Sequence, residues 1–245
     1  MVLSSQRMAE VTTLNRYIIR RILLAIPVVF GVTVMTFFLA NFLPGDPARM
    51  AAGQFATPEQ IEATKVRLGL DQPLPVQYVL YLGRLLRGDL GESLTSRQSV
   101  LTELSIFFPA TLELTAVAIF LAIVIGTPLG IVTGAGKSPM VNSLVMLFAF
   151  VGVGMPVFWL GLILQLIFAG NLDILPLSGR LSSSTIPPPA VTNMYTVDAI
   201  LAGQWNVFVD ASIHLILPAV TLAVGRIASI ARITHSSMLT EMRSD

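Results

Sequence analysis

Residues 22–43 read ILLAIPVVFGVTVMTFFLANFL, and none of these 22 residues carries a charge. Arg20 and Arg21 precede the stretch, and a Pro-Gly-Asp-Pro turn at residues 44–47 follows it. In a helix that rises 1.5 Å per residue, such a run spans roughly 30 Å, the thickness of a bilayer's hydrocarbon core. A secretory signal peptide is the alternative, but its apolar region would be roughly 7–15 residues long. The stretch therefore predicts a membrane-spanning helix.

The composition of the 245-residue chain agrees with a membrane protein. Apolar residues make up 54% and charged residues 12%, and the charged share is about half of the ~25% found in soluble domains. The formal net charge of +1 gives no basic excess that would indicate nucleic-acid binding, so no nucleic-acid partner is expected. The chain has no cysteine, which excludes disulfides and thiolate metal sites.

Three further uncharged runs predict additional spans. Residues 114–136 and 138–172 are long enough, whereas residues 211–225 reach spanning length only if Arg226 extends to the interface and the helix continues. The runs are continuous rather than alternating, which favours helices over the strands of a barrel. The sequence thus predicts an all-α polytopic membrane protein. Its four spans are residues 22–43, 109–136, 142–172 and 211–233.

The distribution of lysine and arginine predicts the orientation. Bases precede the first span, occur in the short loop 137–141 and cluster after the fourth span, whereas the loop 173–210 holds only Arg180. Short loops rich in lysine and arginine stay in the cytoplasm. Both termini, residues 1–21 and 234–245, are therefore expected in the cytoplasm, and residues 44–108 and 173–210 are expected outside it.

The outside segment after the first span is predicted to be partly helical. Residues 57–60, Thr-Pro-Glu-Gln, have the pattern of a capping box with proline at the first helical position, and Gly69 would end that helix. A second helix would open near Pro75 and end near Gly88. It carries an apolar stripe that is expected to pack on neighbouring protein. The stripe consists of Val76, Val79, Leu80, Gly83 and Leu86.

The loop 173–210 carries Ser-Ser-Ser at residues 182–184 and Pro-Pro-Pro at residues 187–189. Such composition predicts an extended, irregular loop.

Three features within the spans are candidates for function or packing. Gly126, Gly130 and Gly134 recur every four residues, which lets membrane helices approach closely. His214 is either a functional intramembrane residue or an interfacial histidine hydrogen-bonded to the backbone. A helix breaker beside aromatic residues can line a transport path, although an aromatic stripe more often packs in a core. The candidate path-lining residues are Met155, Pro156, Phe158 and Trp159.

No feature predicts an enzyme. The segment Gly-Ala-Gly-Lys-Ser at residues 134–138 lacks the earlier glycine of a P-loop, since that position is Ile131. It also leaves a membrane helix rather than a strand, so we expect a small-residue cytoplasmic turn. No paired carboxylates, metal-ligand set or plausible catalytic serine–histidine pair occurs within a span. Catalytic, cofactor-binding and metal-binding residues are therefore not predicted.

Several segments together resemble one family. Arg20-Arg21 precedes the first apolar span of the chain, as at the N-terminus of that family. The other segments are LPGDP at 43–47, LGLDQPL at 68–74, RGDLG at 87–91, PATLEL at 109–114, GTPLG at 126–130, PVFWLG at 156–161 and HLILPA at 214–219. In this order they resemble the permease subunit of bacterial ABC importers for dipeptides, oligopeptides and nickel, from about Tyr17 to the C-terminus.

The resemblance implies a function and partners that spacing alone could not supply. It implies a multi-pass protein of the bacterial inner membrane that moves its solute by alternating access. The chain would pair with a second, similar permease and two cytoplasmic ATPases, and would receive substrate from an extracytoplasmic binding protein. ATP would be bound and hydrolysed by the ATPases, so this chain would hold no cofactor.

The chain departs from the resembled pattern at its end. Permeases of this kind have six spans and a cytoplasmic coupling helix that fits into a groove on the ATPase, whereas this sequence stops at Asp245. We interpret it as a truncated permease, with a transport-incompetent membrane scaffold as the alternative. Residues 234–245 are expected to fray as a short polar helix. The expected approach to the coupling element includes Arg232, Ser236, Ser237 and Met238.

Overall fold

The computed structural model describes residues 2–42, 46–53, 55–93, 95–96, 98–136, 140, 143, 152 and 154–242. Within these residues the chain is helical, and its only β pairing is an isolated bridge between Glu92 and Ser99. The helices are α1 (Val2–Phe42), α2 (Pro47–Ala52), α3 (Pro58–Leu68), α4 (Leu74–Leu86), α5 (Val100–Gly134), α6 (Val157–Gln165), α7 (Tyr195–Leu201) and α8 (Trp205–Glu241). A π-helical segment, Leu166–Asn171, continues α6. The chain divides into two compact units, Met1–Thr102 and Glu103–Asp245.

Three of the described helices are long and apolar enough to cross a membrane. They are α1 through its segment Arg16–Leu39, α5 and α8, and a shorter apolar helix covers Val157–Asn171. The predicted all-α polytopic class is therefore confirmed. The predicted third span, residues 142–172, falls largely outside the described residues before residue 154, so the count of four spans stays a prediction.

In the first unit, α3 has the predicted ends. The Thr57 hydroxyl accepts a hydrogen bond from the Gln60 amide at 3.3 Å, and the Gln60 side chain accepts one from the Thr57 amide at 3.0 Å. This reciprocal pair is the predicted capping box. Gly69 adopts φ +70° and ends the helix, as predicted.

The helix α4 packs on α1 through its tyrosines rather than through the predicted aliphatic stripe. The Tyr78 hydroxyl lies 2.9 Å from the Thr33 hydroxyl, and the ring of Phe37 lies 5.3 Å from that of Tyr78 and 5.8 Å from that of Tyr81. The expectation that the stripe packs on neighbouring protein stays a prediction, although within this chain Cδ1 of Leu80 lies only 2.7 Å from the Cβ position of Gly69. Aromatic rings gain edge-to-face contacts as well as buried area, which favours the tyrosine face.

In the second unit, α5 and α8 lie side by side and run parallel. Gly126 approaches Ile227 and Ile230, while Gly134 approaches His235 and Met238. A buried cluster of Ala122, Ala223 and Ile227 forms the core between the two helices, with Leu121, Leu129 and Ile230 packed against it. Because both helices run in the same direction, the chain returns to the starting side between Gly134 and Trp205.

Two expectations for the second unit are wrong. The loop 173–210 is not irregular throughout, because it contains α7 at Tyr195–Leu201. Residues 234–241 do not fray, because they continue α8 to Glu241. Extending a formed helix avoids the cost of nucleation, and Met238 packs against Gly134 of α5.

Candidate functional site

A buried carboxylate joins α5 to the segment that precedes α8. The Glu113 side chain is 5% exposed, and its Oε1 accepts hydrogen bonds from the Thr196 amide at 2.7 Å and the Thr196 hydroxyl at 2.6 Å. Its Oε2 accepts a hydrogen bond from Nη2 of Arg180 at 3.2 Å. Three donors satisfy the carboxylate, as a charge removed from water requires.

The guanidinium of Arg180 has two further contacts in the same region. Its Nη2 also donates to the Asn193 carbonyl at 2.8 Å, and its central carbon lies 3.6 Å from the centroid of the Tyr195 ring. A planar guanidinium can pair with a carboxylate and stack on an aromatic face at the same time. Arg180 therefore fixes both the carboxylate on α5 and the turn that leads into α7.

Asp198 on α7 organises the preceding turn. This buried side chain accepts hydrogen bonds from the amides of Val191, Thr192 and Asn193 at 3.2, 2.8 and 2.9 Å, and from the Thr192 hydroxyl at 2.7 Å. Burial alone would raise the pKa of Asp198, but the hydrogen bonds from Thr192, Val191 and Asn193 outweigh burial and hold the pKa below its ordinary value.

A second set of contacts ties the loop to α8. Asp210 accepts hydrogen bonds from the Ser182 amide at 2.9 Å and the Ser182 hydroxyl at 2.8 Å. One turn later, Nδ1 of His214 lies 2.9 Å from the Asp210 carbonyl oxygen and 3.3 Å from its Oδ1. His214 thus makes the backbone hydrogen bond that was expected of an interfacial histidine. It also lines both cavities described next.

Two adjoining open cavities lie between α5, α6, α8 and the loop. The smaller, about 240 Å³, has Glu113, Arg180 and Tyr195 in its wall. The larger, about 570 Å³, is mainly apolar and includes Phe158 and Gln165. Both cavities share four lining residues, Leu114, Gly179, His214 and Pro218. Together they form a mostly apolar space with charged and polar groups at one end, the general character of a small-molecule site.

Of the four residues predicted to line a transport path, only Phe158 lines one of the two cavities. Pro156 immediately precedes α6, as a helix breaker would. Phe158 is 71% exposed and lines the larger cavity. Met155 and Trp159 are not among the residues that line either cavity.

The three glycines of α5 lie against α8. A Cβ atom on Gly130 would lie 2.5 Å from Cβ of Thr234 and 2.6 Å from the Ala231 carbonyl oxygen, and one on Gly134 would lie 2.8 Å from Cβ of Met238. For Gly126 the nearest atoms would be at 3.0 Å. These separations leave no room for a side chain at the centre of the stripe.

The predicted coupling residues lie on the last turns of α8. Arg232, Ser236 and Ser237 are exposed, and Met238 is half-buried against α5. Among the residues that the structure describes, no group of three or more histidine, aspartate or glutamate side chains could hold a metal ion.

Sequence reasoning missed the contacts of Glu113, Arg180, Asp198 and Asp210. Two signals were available: Arg180 is the only base in its loop, and Glu113 is the charge that borders a long apolar run. Neither signal specifies a partner, because the pair is 67 residues apart.

Two family models of membrane transport components match successive parts of the chain. Residues 14–115 match the family model described as binding-protein-dependent transport system membrane component, N-terminal. Residues 126–245 match the binding-protein-dependent transport system inner membrane component.

Individual relatives are similar over most of this chain. A probable D,D-dipeptide transport system permease protein, DdpB of Escherichia coli, is 46% identical over 89% of this chain and 64% of its own length. The dipeptide transport system permease protein DppB of Alkalihalophilus pseudofirmus is 42% identical over 94% of this chain and 68% of its own length. The di/tripeptide transport system permease protein DppB of Pseudomonas aeruginosa is 41% identical, with the same two coverages. The chain thus spans about two thirds of the length of these relatives.

Proposed function

The chain belongs to the family of inner-membrane components of binding-protein-dependent transport systems, the permease subunits of ABC importers, and we propose that it helps to carry short peptides across the bacterial inner membrane. The observation that carries the proposal is its similarity, over 94% of the chain, to permeases named for dipeptide and di/tripeptide transport. The cavities beside α5 and α8 support it, because a short peptide needs a mostly apolar space with a few polar groups.

The partners follow from the same proposal. A second permease would complete the wall of the path, two ATPases would supply the driving force from the cytoplasm, and an extracytoplasmic binding protein would deliver the peptide. The term binding-protein-dependent in the family description supports the last of these. The chain itself would hold no cofactor and perform no hydrolysis.

The orientation of the chain also belongs to the proposal. Parallel packing of α5 and α8 supports one intervening span that returns the chain, which the apolar α6 and the run before it would provide. With the lysine and arginine distribution, this arrangement would put both termini in the cytoplasm.

In this arrangement α5 and α8 would move as a pair. Their close contact at Gly130 and Gly134 leaves little freedom to slide. The exposed side chains of Arg232, Ser236 and Ser237 on the last turns of α8 would receive the motion of the ATPase. Phe158, which lines the larger cavity, would contact the passing peptide, and Pro156 would allow α6 to begin beside the cavity.

The test is uptake of a labelled dipeptide into vesicles that contain the protein with its partner permease, ATPases and binding protein. We expect uptake that requires ATP and the binding protein, and that excess unlabelled dipeptide abolishes but Ni²⁺ does not. A matched preparation with a hydrolysis-deficient ATPase is the control. Stable assembly of all components without peptide uptake would contradict the proposal and favour a scaffold.

A further inference from the structure

The buried His214 stands in the wall that both cavities share, and only one of its ring nitrogens is engaged. Its side chain is 5% exposed, and it lines the smaller and the larger cavity. Nδ1 lies 2.9 Å from the carbonyl oxygen of Asp210 and 3.3 Å from its Oδ1. A carbonyl oxygen can only accept, so Nδ1 carries the hydrogen and Nε2 of the neutral ring keeps a lone pair. Among the described residues no group bonds to Nε2, which leaves this acceptor to a ligand in the cavities.

Pro218 provides a second acceptor at the same place. It lies inside α8 and, like His214, lines both cavities. Proline has no N–H, so the carbonyl of His214, four residues earlier, loses its helical hydrogen bond. A carbonyl freed in this way inside a membrane needs a donor from a neighbouring helix, a side chain or a ligand. Within the part of the chain that the structure describes, no side chain donates to it.

Thr221 provides a third acceptor, on the same face of α8. Its hydroxyl lines the larger cavity and donates its only hydrogen to the Leu217 carbonyl at 2.7 Å, so it can offer a ligand only lone pairs. The other polar side chains of the larger cavity, Gln165 and Ser178, can both accept and donate. Helical spacing puts residues 214, 218 and 221 one above the other, so the three acceptors form one row.

The charges beside the cavities favour a cationic ligand. Glu113 and Arg180 lie 3.2 Å apart and offset each other. Asp210 contacts His214, and no lysine or arginine among the described residues forms an ion pair with it. With a neutral His214, the wall therefore carries a net negative charge, which attracts a positive group.

We propose that the row formed by His214, Pro218 and Thr221 binds the N-terminal ammonium group of the transported peptide. An ammonium group donates three hydrogens and accepts none. It therefore matches Nε2 of His214, the carbonyl of His214 and the hydroxyl of Thr221. The proposal rests on the proposed peptide transport and names the chemical group that the cavities recognise. The apolar remainder of the larger cavity then takes the side chains of the peptide.

The test is protection of His214 from diethylpyrocarbonate, which acylates a neutral imidazole nitrogen, in the reconstituted transporter. The chain has two histidines, and His235, which contacts Thr133 rather than the cavities, is the internal reference. One probe is alanyl-alaninamide, which has an ammonium group but no carboxylate. The other is N-acetyl-alanyl-alanine, which has a carboxylate but no ammonium group. Because the amine also consumes reagent, mass spectrometry measures the ratio of His214 to His235 modification.

We expect excess alanyl-alaninamide to lower this ratio several-fold and N-acetyl-alanyl-alanine to leave it unchanged. Equal protection by both probes, or by neither, would overturn the proposal, because the ammonium group would then not be recognised. Protection by the acetylated probe alone would overturn it too, since His214 would then bind a carboxylate. A His214 that does not react without probe would show that Nε2 is closed to the cavities, which also overturns the proposal.

Uptake of labelled dipeptide in the same vesicles separates this proposal from the proposed function. Uptake without selective protection would reject the ammonium site alone. Selective protection without uptake would reject peptide transport and leave the site.

A matched pair of variants tests the contribution of Thr221. Thr221→Val should require about tenfold more alanyl-alaninamide for half protection, because one hydrogen bond to a charged group is lost. Thr240→Val is the control, since Thr240 lies on the same helix and donates to the carbonyl four residues earlier, but is exposed and lines neither cavity. Equal half-protection in the two variants would overturn the three-acceptor site. If Thr221→Val does not assemble, the comparison of probes on the unchanged chain decides.

Discussion

Nη2 of Arg180 lies 3.2 Å from Oε2 of Glu113, although 67 residues separate the two in the chain. The Glu113 carboxylate also accepts a hydrogen bond from the Thr196 amide, and the Arg180 guanidinium donates one to the Asn193 carbonyl. One ion pair therefore attaches two parts of the loop to α5. Asp210 attaches a third part, at Ser182, to α8, so the loop bridges the two parallel helices beside the cavities.

Removing the charge of Glu113 should loosen this attachment. Hydrogen bonds to a charged group contribute about 1.5–3 kcal/mol each, so we expect Glu113→Gln to lower the free energy of unfolding by that amount or more. The measurement is the midpoint of thermal unfolding in detergent. Glu62→Gln is the control, because its pair with Lys65 is long at 3.9 Å and exposed, and such pairs contribute at most about 1 kcal/mol.

A double-mutant cycle isolates the ion pair. Glu113→Gln and Arg180→Gln should not be additive, because each removes the same contact. Additive losses would mean that Glu113 acts through Thr196 alone.

The close approach of α5 and α8 predicts that even one methyl group is harmful at Gly130. A Cβ there would overlap Thr234 and the Ala231 carbonyl, and such overpacking costs about 1–3 kcal/mol. We expect Gly130→Ala to lower the unfolding midpoint in detergent and the yield of assembled complex. Gly31→Ala on α1 is the control, because nothing lies within 4 Å of its Cβ position. Equal losses in the two variants would show that the helix contact is not responsible.

Asp198 predicts a defined pH dependence. Its pKa is lower in the folded chain than in the unfolded one, so its stabilising effect is complete above the unfolded value, about 3.9. That effect is lost as the pH falls through the folded value. We expect Asp198→Asn to be less stable than the unchanged chain by about 1.5–3 kcal/mol at pH 7. The difference in unfolding midpoint between Asp198→Asn and the unchanged chain should shrink as the pH falls below about 4.

Asp71→Asn is the control for the substitution, because Asp71 is exposed. It should change the unfolding midpoint little at pH 7. A difference for Asp198→Asn that stays constant from pH 7 to pH 3 would contradict the assignment.

What the sequence could predict depended on local or periodic signals. The apolar runs identified α1, α5 and α8, and the Thr57–Gln60 pair identified the start of α3, because each of these signals lies within one continuous stretch of sequence. The contact of Glu113 with Arg180 has no such signal, since it is formed only when a loop folds back on a helix. The last turns of α8 were missed for a related reason: residues 234–241 are weak as an isolated helix but continue a formed one.

The charge distribution predicts which positions an impermeant thiol reagent can reach in intact cells. Cysteines at Ser4, Ser138 and Ser244 should be shielded, because they lie on the side rich in lysine and arginine. Cysteines at Ala56 and Ser183 should react. Ser138 and Ser244 lie outside the described residues, so labelling tests the sequence prediction there. Labelling of a cysteine at position 138 from outside would contradict the four-span arrangement. As a control, the same labelling in permeabilised cells shows whether every cysteine is reactive.

The final prediction concerns Phe158 in the wall of the larger cavity. If peptides pass through this cavity, Phe158→Ala removes an apolar contact and should lower dipeptide uptake at low substrate concentration about tenfold, which corresponds to about 1.4 kcal/mol. Assembly should be unchanged, because the ring is largely exposed and supports little packing. Phe120→Ala is the matched control, since Phe120 is a similarly exposed phenylalanine on α5 that lines neither cavity. Equal loss of uptake in both variants, measured in the same vesicles, would remove Phe158 from the path.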